Sequence, residues 1–466
     1  MKKTIRFVKR ERLLIFIVLL ALTLRLIFLS PWLEDWDSVQ FALALKDFSI
    51  VKHQPHPPGY PLYILLARIF NLFFKNDTLA LTSLSAFFGS LSALPLYLLI
   101  KDIVNKKIAL LSSIIFLVTP LHWNLSEVAL SNIPGMFFSI TSVYFLYKGR
   151  NSSKMLLLGS FLSGLTLGIR FAEYSTVITL LVLILLTRKK LSDSIKSVSY
   201  FVMGILVWLI PLILDTGFKT FILLYKNQVD YILNHDSLFT QSSSIIERLM
   251  RIKWLFVTGY SPYFLITVLI AVIYFLGNYR KITKNNNLLF ILVWLISYLV
   301  PLIFIYNLEV PRHVLPLLPP LIILFAISLK NLWRWKIVKL YCIVTITLLF
   351  SVALKEVQLI HTLTPPTVTP VLYVKENFNP KETILFTTFT YRHFQYYAPG
   401  FVNYWGGKDV SNNTVSKNVI IDYIRLAGEI PSLAKYKIKF EKNFTGPSNI
   451  FPRQSNANLY ILEKDN

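Results

Sequence analysis

Long apolar runs recur from Leu13 to Leu354, and they constrain the fold more than any other feature of the sequence. Each run spans about 17–25 residues, enough for a helix to cross the ~30 Å hydrocarbon core of a bilayer. The chain is 54% hydrophobic and only 15% charged, whereas a soluble chain carries about 25% charged residues. The sequence therefore predicts a polytopic α-helical membrane protein. No small-residue cleavage site follows the first run, so a cleaved signal peptide is not expected.

The placement of charge predicts the topology. We predict about 11 spans, at roughly 13–31, 78–100, 107–122, 131–147, 155–170, 172–187, 197–215, 254–276, 288–306, 313–329 and 338–354. The N-terminal segment and the links on its side hold roughly 23 basic and 3 acidic residues, against roughly 11 and 12 in the opposite loops. This bias predicts a cytoplasmic N-terminus and a C-terminal segment outside the inner membrane. The net charge of +24 is then mainly a topology signal, and nucleic acid is not an expected partner.

Three predicted outer segments, 32–77, 216–253 and 355–466, are longer than simple connections, and long ordered loops are usually functional. All seven histidines fall on this predicted outer side. We predict a transmembrane domain over residues 1–355 and a small extracytoplasmic α/β domain over 356–466. In the latter, strands are expected at 383–387, 418–422, 437–441 and 459–463, and a helix at 371–378.

The first outer loop begins with three closely spaced carboxylates, Glu34, Asp35 and Asp37. A helical apolar period follows from Ser38 to Lys46, and Asp37 is placed to cap that helix. In one interpretation Asp37 is only an N-cap and the other acids are solvated. In the other, Asp37 stands at the helix mouth as part of a functional site.

A proline-rich turn, His56-Pro57-Pro58-Gly59-Tyr60-Pro61, follows in the same loop. Its prolines fix φ and remove backbone donors, so the turn is rigid, and it presents His53 and His56 near the membrane surface. The apolar and polar positions of residues 61–74 then predict an amphipathic helix lying in the membrane interface. The loop thus combines a cluster of carboxylates, a rigid turn that carries histidines and an interfacial helix. This combination suits a binding site for a lipid that carries a phosphate.

These motifs resemble the GT-C superfamily of polyprenyl-phosphate-sugar glycosyltransferases, which includes the protein O-mannosyltransferases and the aminoarabinose transferase acting on lipid A. Asp37 matches the family's acidic position, and His56-Pro57-Pro58 matches its basic-Pro-Pro motif. The amino-acid sequence of this loop is most similar to that of a bacterial mannosyltransferase-like branch of the superfamily. Relatives have Lys where this chain has His56, so contact with the donor phosphate could depend on pH here.

Three further segments are similar to the superfamily. Glu127 lies in the second acidic segment, where Asn132 replaces a common Asp; alternatively Glu127 is a solvated loop acid. Arg170 ends a Gly-x-x-x-Gly-x-Arg stretch, and it could meet a phosphate or instead pair with Glu173. Arg312 precedes a Leu-Pro-x-x-Pro-Pro segment at the outer mouth of a span, where a guanidinium suits a lipid phosphate.

The resemblance implies an inverting transfer of sugar from a polyprenyl-phosphate donor to a lipid, glycan or protein acceptor. It implies Asp37 as the base, with Glu127 assisting. The expected donor-phosphate and substrate-binding residues are His53, His56, Tyr60, Arg170, Arg312 and His313. No metal-ligand spacing is present, so no cofactor is expected, although a divalent metal is left open. The alternatives are a transporter or flippase of a lipid-linked saccharide and a non-catalytic scaffold.

Overall fold

The computed structural model describes residues 11–188, 190–235, 244–277, 286–406, 418–423, 425–426, 433, 436–446 and 456–464. The basic residues of segments 1–10 and 278–285, and Lys189, on which the predicted topology partly rests, lie outside these ranges. The described part is mostly helical and ends in a small sheet. This agrees with the predicted class of a helical membrane protein with a C-terminal α/β segment.

The helices follow one another closely along the chain. In the first half they are α1 (Arg12–Ile27), α2 (Trp36–Lys46), α3 (Pro61–Phe74), α4 (Asp77–Leu91), α5 (Ala93–Ile103), α6 (Lys106–Val118), α7 (Pro120–Leu125), α8 (Asn132–Gly149), α9 (Ser153–Ile169), α10 (Tyr174–Thr187) and α11 (Leu191–Thr216). In the second half they are α12 (Phe218–His235), α13 (Ile245–Tyr260), α14 (Pro262–Gly277), α15 (Asn286–Phe304), α16 (Leu318–Leu332), α17 (Lys336–Thr362), α18 (Thr369–Asn377) and α19 (Tyr391–Tyr397). Short 3-10 helices, Phe171–Glu173 and Pro311–Leu317, precede α10 and α16.

Every predicted span overlaps a helix or a pair of helices, and the protein is a multi-pass membrane protein. Among the described residues, five helical segments are long and apolar enough to cross a bilayer: Asp77–Ile103, Leu191–Thr216, Asn286–Phe304, Pro311–Leu332 and Lys336–Thr362. The predicted span 254–276 falls on α13 and α14, which bend by 116° between them. The number of eleven spans stays a prediction.

Helix α3 has the amphipathic character predicted for residues 61–74. Proline occupies its first turn, where the missing N–H costs no helical bond. Tyr63 and Ala67 are buried against the bundle, whereas Leu72 and Phe73 on the opposite side are exposed. Such an apolar outer face suits a helix lying at the membrane interface.

Helices α9 and α11 approach each other at two glycines. A Cβ at Gly164 would lie 2.3 Å from the carbonyl oxygen of Phe201, and a Cβ at Gly204 would lie 2.3 Å from that of Phe161. The indole of Trp208 donates to the carbonyl of Gly164 at 3.0 Å. The close packing expected of the glycine stretch is therefore present, and it anchors the helix that ends at Arg170.

The C-terminal segment carries a five-stranded sheet, β1 (Thr383–Thr387), β2 (Val402–Trp405), β3 (Asn418–Ile421), β4 (Tyr436–Thr445) and β5 (Asn456–Lys464), in the order β2-β1-β3-β5-β4. Strand β1 pairs in parallel with β2 and β3, and β5 pairs antiparallel with β3 and β4. The four predicted strands are confirmed. Strand β2 was not predicted, because its four residues have no fully buried face that would produce an apolar alternation.

The glycine contact gives a stability prediction. Gly164→Ala places a methyl group against backbone atoms that cannot move away, and we expect it to lower the free energy of unfolding by about 1–3 kcal/mol. Thermal unfolding in detergent measures the change. Gly277→Ala is the matched control, since a Cβ there meets nothing within 4 Å. Equal melting temperatures for both variants would contradict the close contact.

Candidate active site

The acidic loop is organised by the start of helix α2. Asp35 adopts extended backbone angles as the N-cap of this helix, and its Oδ1 accepts from the N–H of Asp37 at 2.8 Å. The prediction that Asp37 caps the helix is therefore wrong. Trp36 and Asp37 already belong to the first turn, so the cap lies two residues earlier than predicted and the side chain of Asp37 can face the bundle.

Arg312 joins both carboxylates. Its Nη1 lies 2.5 Å from Asp35 Oδ2, and its Nη2 lies 2.9 Å from Asp37 Oδ2. The guanidinium comes from the 3-10 helix Pro311–Leu317, far along the chain from the acidic loop. The rigid fork of an arginine matches two oxygen acceptors at once, which a lysine could not do. The three side chains form the centre of the site.

Ionisation of the two carboxyls differs because their surroundings differ. Burial opposes ionisation of Asp37, but His56 in its protonated form and the guanidinium groups of Arg312 and Arg170 outweigh it and lower its pKa. Burial raises the pKa of Asp35, and the attraction of Arg312 offsets this only in part. Arginine keeps its charge at every relevant pH, so Asp37 is the more readily ionised carboxyl of the pair.

The proline-rich turn presents His56 to this centre. His56 Nδ1 lies 2.8 Å from Gln40 Oε1 and 3.5 Å from Asp37 Oδ1. Gln40 Oε1 also accepts from the backbone N–H of His56 at 3.2 Å. Because an amide oxygen only accepts, Nδ1 carries the proton, and Nε2 then accepts from the hydroxyl of Tyr60 at 2.9 Å. The ring is thus held in one orientation by two partners.

This environment keeps the imidazole neutral. Burial lowers the pKa of His56, and the charge of Arg312 adds to this, against the opposing charge of Asp37. Burial raises the pKa of Tyr60 to about 12, so its hydroxyl remains a donor. Tyr60 has a positive φ of 49° at the N-cap of α3 and follows Gly59 at 100°. The turn therefore ends in a backbone conformation that places the hydroxyl over the imidazole.

Arg170 reaches the same centre from the end of helix α9. Its Nη1 donates to Ser131 Oγ at 3.1 Å and to Asn132 Oδ1 at 3.3 Å. A Cβ at Gly135 would lie 2.6 Å from Arg170 Cβ, so the glycine makes room for this approach. The charge of Arg170 acts on Asp37. Among the described residues Arg170 forms no ion pair with Glu173, so the alternative of a closed Arg170–Glu173 pair is not what the structure shows.

Two further predicted residues lie at the border of the site. His53 is half-buried with a positive φ of 53°, and burial, with the charges of Arg392 and His56, lowers its pKa. His313 Nδ1 donates to the carbonyl of Asn307 at 2.7 Å, and its ring lies 5.5 Å from that of Tyr306. Both histidines are thus positioned beside the centre rather than within it.

Glu127 lies in a different environment. Its carboxylate is fully buried and Oε1 accepts from the indole of Trp123 at 2.7 Å. Burial raises its pKa well above the usual range, with Arg25 and Trp123 opposing. Glu127 is therefore not a solvated loop acid. In the described structure its carboxylate bonds to Trp123 and is subject to the charge of Arg25, and no hydrogen bond or ion pair joins it to Asp37. A role in orienting the acceptor therefore stays a prediction.

Two contributors were missed from the sequence. Asp35 received no role, although it shares Arg312 with Asp37, and Gln40 was not considered, although it orients His56. The position of Gln40 one turn after Asp37 on the same helix was a usable signal. Over the ranges that the structure describes, no three His, Cys, Asp or Glu side chains gather as metal ligands. Apart from Asp35, the charged groups that act on Asp37 are cations, which suit an anionic ligand.

An apolar groove runs beside the site between helices α3 and α11. Its volume is about 290 Å³, and its walls include Leu62, Leu65, Trp208 and Leu212. Arg68 also lines it and donates from Nη2 to the carbonyl of Ala44 at 3.0 Å. Because Leu62 follows the proline-rich turn directly, the groove begins close to His56 and Tyr60.

Comparison with known proteins confirms the resemblance predicted from the sequence. Residues 55–214 match the family described as dolichyl-phosphate-mannose-protein mannosyltransferase. A stretch of 119 residues is 28% identical to the protein O-mannosyl-transferase tmem260 of Dictyostelium discoideum, covering 24% of this chain and 13% of that protein. The chain therefore spans only a small part of that relative.

The fold is similar to solved structures over nearly its whole length. ArnT from Cupriavidus metallidurans superposes with a TM-score of 0.60 in the apo state, at 11% identity, covering 97% of this chain and 98% of that one. The same protein bound to undecaprenyl phosphate superposes with a TM-score of 0.57 at 12% identity, with the same coverage of 97% and 98%. The oligosaccharyltransferase of Archaeoglobus fulgidus follows at 0.55 and 13% identity, covering 96% of this chain and 74% of that one.

The shared guanidinium predicts a pH-dependent stability loss. Arg312→Gln leaves two neighbouring carboxyls, the buried Asp35 and the partly exposed Asp37, without their cation, and we expect about 3–5 kcal/mol of destabilisation at pH 8. The loss should shrink towards pH 5. Without the guanidinium the pKa values of both carboxyls are higher in the variant, so protonation relieves their repulsion as the pH falls. In the native protein the pKa of Asp37 is lowered, so its contribution is present above the unfolded value of about 4 and disappears only below it.

Melting temperatures in detergent across this pH range measure the effect. Arg312→Lys retains the charge but loses the fork, and it should show a smaller loss with less pH dependence. A deficit of Arg312→Gln that is the same at pH 5 and pH 8 would contradict the pairing.

Proposed function

We propose that this chain is a member of the GT-C superfamily of polyprenyl-phosphate-sugar glycosyltransferases and moves a sugar from a polyprenyl-phosphate donor to an acceptor on the outer face of the membrane. One observation carries the proposal: the Asp37 carboxylate lies between Arg312 and His56, and His56 belongs to the proline-rich turn that leads into the amphipathic helix α3. This arrangement offers a proton acceptor and phosphate-binding groups in one place.

The donor phosphate is proposed to bind where the positive groups converge. Arg312 pairs with Asp37, and the charge of Arg170 also acts on this carboxyl, so both guanidinium groups lie within electrostatic range of it. A guanidinium binds phosphate through paired N–H donors, and cations near the leaving oxygen stabilise the charge that develops there. His56, Tyr60, His53 and His313 border this region. Binding of undecaprenyl phosphate by ArnT, a protein of the same fold, supports the assignment.

The polyprenyl chain is proposed to lie in the groove between α3 and α11. An isoprenoid chain is apolar, and the walls contributed by Leu62, Leu65 and Trp208 are apolar as well. The exposed outer face of α3, with Leu72 and Phe73, would admit the chain from the bilayer. The phosphate would then stand at the proline-rich turn, beside His56.

The proposed reaction is a single displacement. The acceptor oxygen or nitrogen bonds to the anomeric carbon from the face opposite the phosphate, and the bond between that carbon and the phosphate oxygen breaks. The electron pair leaves with the polyprenyl phosphate, and the acceptor's proton passes to Asp37. The configuration at the anomeric carbon inverts because the nucleophile enters opposite the leaving group.

Asp37 is suited to accept this proton late. Its lowered pKa makes it a weak base towards a free hydroxyl. The transition state of glycosyl transfer resembles an oxocarbenium ion, so the attacking hydroxyl becomes strongly acidic as its bond to carbon forms. An ionised carboxylate that is already oriented then suffices. Asp37 Oδ2 is held by Arg312, so Oδ1, which lies 3.5 Å from His56 Nδ1, is the oxygen that we assign to the acceptor.

Replacement of the proposed base tests the function. We expect Asp37→Asn to reduce transfer by about 10²–10⁴-fold, because it removes the proton acceptor without changing the side-chain shape. Purified protein in detergent would be assayed with a panel of polyprenyl-phosphate sugars and membrane extract as acceptor. Asp47→Asn is the control: Asp47 is an exposed acid of the same loop that pairs with Lys52. Ordinary turnover by Asp37→Asn would exclude it as the base.

The histidine of the turn predicts a pH-dependent affinity for the donor. Because its ring is neutral in the unliganded site, binding a phosphate recruits a proton to His56, and affinity should rise by up to about tenfold for each pH unit lowered between pH 8 and pH 6. His56→Lys, which carries its charge throughout, should flatten this dependence.

Equilibrium binding of undecaprenyl phosphate at several pH values measures it. His361→Gln, at an exposed histidine that contacts the carbonyl of Leu29, should keep the native slope. An unchanged slope in His56→Lys would place the proton elsewhere.

A further inference from the structure

The backbone just before the carboxylate pair is held by the C-terminal segment. The N–H of Leu33 donates to the hydroxyl of Tyr397 at 2.8 Å. The carbonyl of Glu34 accepts from Thr367 Oγ1 at 2.9 Å and from His393 Nε2 at 2.8 Å. Two consecutive residues next to Asp35 are thus fixed by three side chains more than 300 residues away in sequence.

His393 is specialised for this contact. A carbonyl oxygen only accepts, so Nε2 carries the proton, and among the described atoms Nδ1 has no partner. The side chain is 1% exposed. Burial lowers the pKa of His393 to about 4, against the opposing bonds to the backbone. The ring is therefore a neutral donor over the physiological range, and the contact does not switch with pH.

We propose that Tyr397, His393 and Thr367 are positioning residues for the reaction, which set the placement of Asp35 and Asp37 against Arg312. The proposal rests on the proposed function. It makes the C-terminal segment part of the active site, with these three side chains acting through the backbone of Leu33 and Glu34.

Coupling from the clamp to the carboxylates is direct. Glu34 is bonded to Asp35, and Asp35 both caps α2 and accepts from the N–H of Asp37. A shift of the Glu34 carbonyl therefore moves the cap and the first turn together. Arg312 must meet one oxygen from each carboxylate, and a fork tolerates little displacement. Misplacement of a reacting group by about 1 Å can cost about 10²-fold in rate.

Arg392, next to His393, holds a second part of the same loop. Its Nη2 donates to the carbonyl of Lys52 at 2.8 Å, and its guanidinium lies 6.0 Å from the ring of Trp36. Lys52 directly precedes His53, and Trp36 directly precedes Asp37. Helix α19 therefore contacts the loop at both of its functional ends, before the acid and before the histidine turn.

Tyr397→Phe tests the proposal with a closely matched control. The variant removes one hydroxyl and leaves the Leu33 N–H without its acceptor, and we expect kcat to fall by about tenfold with donor KM within about twofold of the native value. Tyr396→Phe removes the neighbouring hydroxyl of the same helix, which contacts Asp77 at 3.3 Å instead, and should leave kcat within about twofold.

Thr367→Val removes another hydrogen bond to the same backbone, and its effect on kcat should resemble that of Tyr397→Phe. His393→Gln, whose amide can still donate, should retain more activity than His393→Leu.

Hydrogen exchange provides a readout that does not depend on activity. Exchange of the peptide covering residues 30–38 should be faster in Tyr397→Phe and Thr367→Val than in Tyr396→Phe. Unchanged exchange there overturns the clamp. Faster exchange with native kcat, or an equal loss of kcat in Tyr396→Phe, overturns the positioning role alone. A native protein that transfers no sugar from any donor overturns the proposed function and with it the positioning role.

Discussion

The ion pairing of Arg312 with Asp35 and Asp37 is the interaction on which the candidate site depends. It joins the loop after the first helix to the start of a late helix, and so fixes two distant parts of the chain against each other. Taking three charged groups out of water is costly, and only good geometry repays that cost. The three side chains must therefore be held rigidly by the surrounding structure, both around the two carboxyls and around the other groups of the site.

This support comes from hydrogen bonds with backbone groups and neutral side chains rather than from further charges. On one side Asp35 caps helix α2, and the C-terminal segment holds the peptide groups of Leu33 and Glu34. On the other side the proline-rich turn holds His56 through Gln40 and Tyr60. Each neutral contact restricts the position of a charged group without competing for the ligand's charge.

Arg312 and His56 have different electrostatic roles in the site. Arg312 lowers the pKa of Asp37 and stays charged, whereas burial keeps His56 neutral. A neutral imidazole beside two guanidinium groups lessens repulsion in the empty site and can take up a proton when a phosphate arrives.

Much of the fold could be predicted because its signals are local. Apolar runs located the helices, and alternation located four strands of the sheet, since burial of one face imposes a period on neighbouring residues. Motif resemblance found Asp37, His56, Arg170 and Arg312, whose side chains meet around one centre. Strand β2 was missed because its residues have no buried face, and the cap was misplaced by two residues because Asp35 and Asp37 satisfy the same local rule.

The sequence by itself determined that the chain is a membrane protein of helical class, and which charged residues were candidates for chemistry. Only the tertiary structure decided which of them act together. It paired Arg312 with two carboxylates, kept Glu127 apart with Trp123 and Arg25, and brought His393 and Tyr397 onto the acidic loop. A hydrophobic period depends on neighbours within a few residues. These contacts join residues that are far apart in the chain, so no periodic pattern in the sequence reveals them.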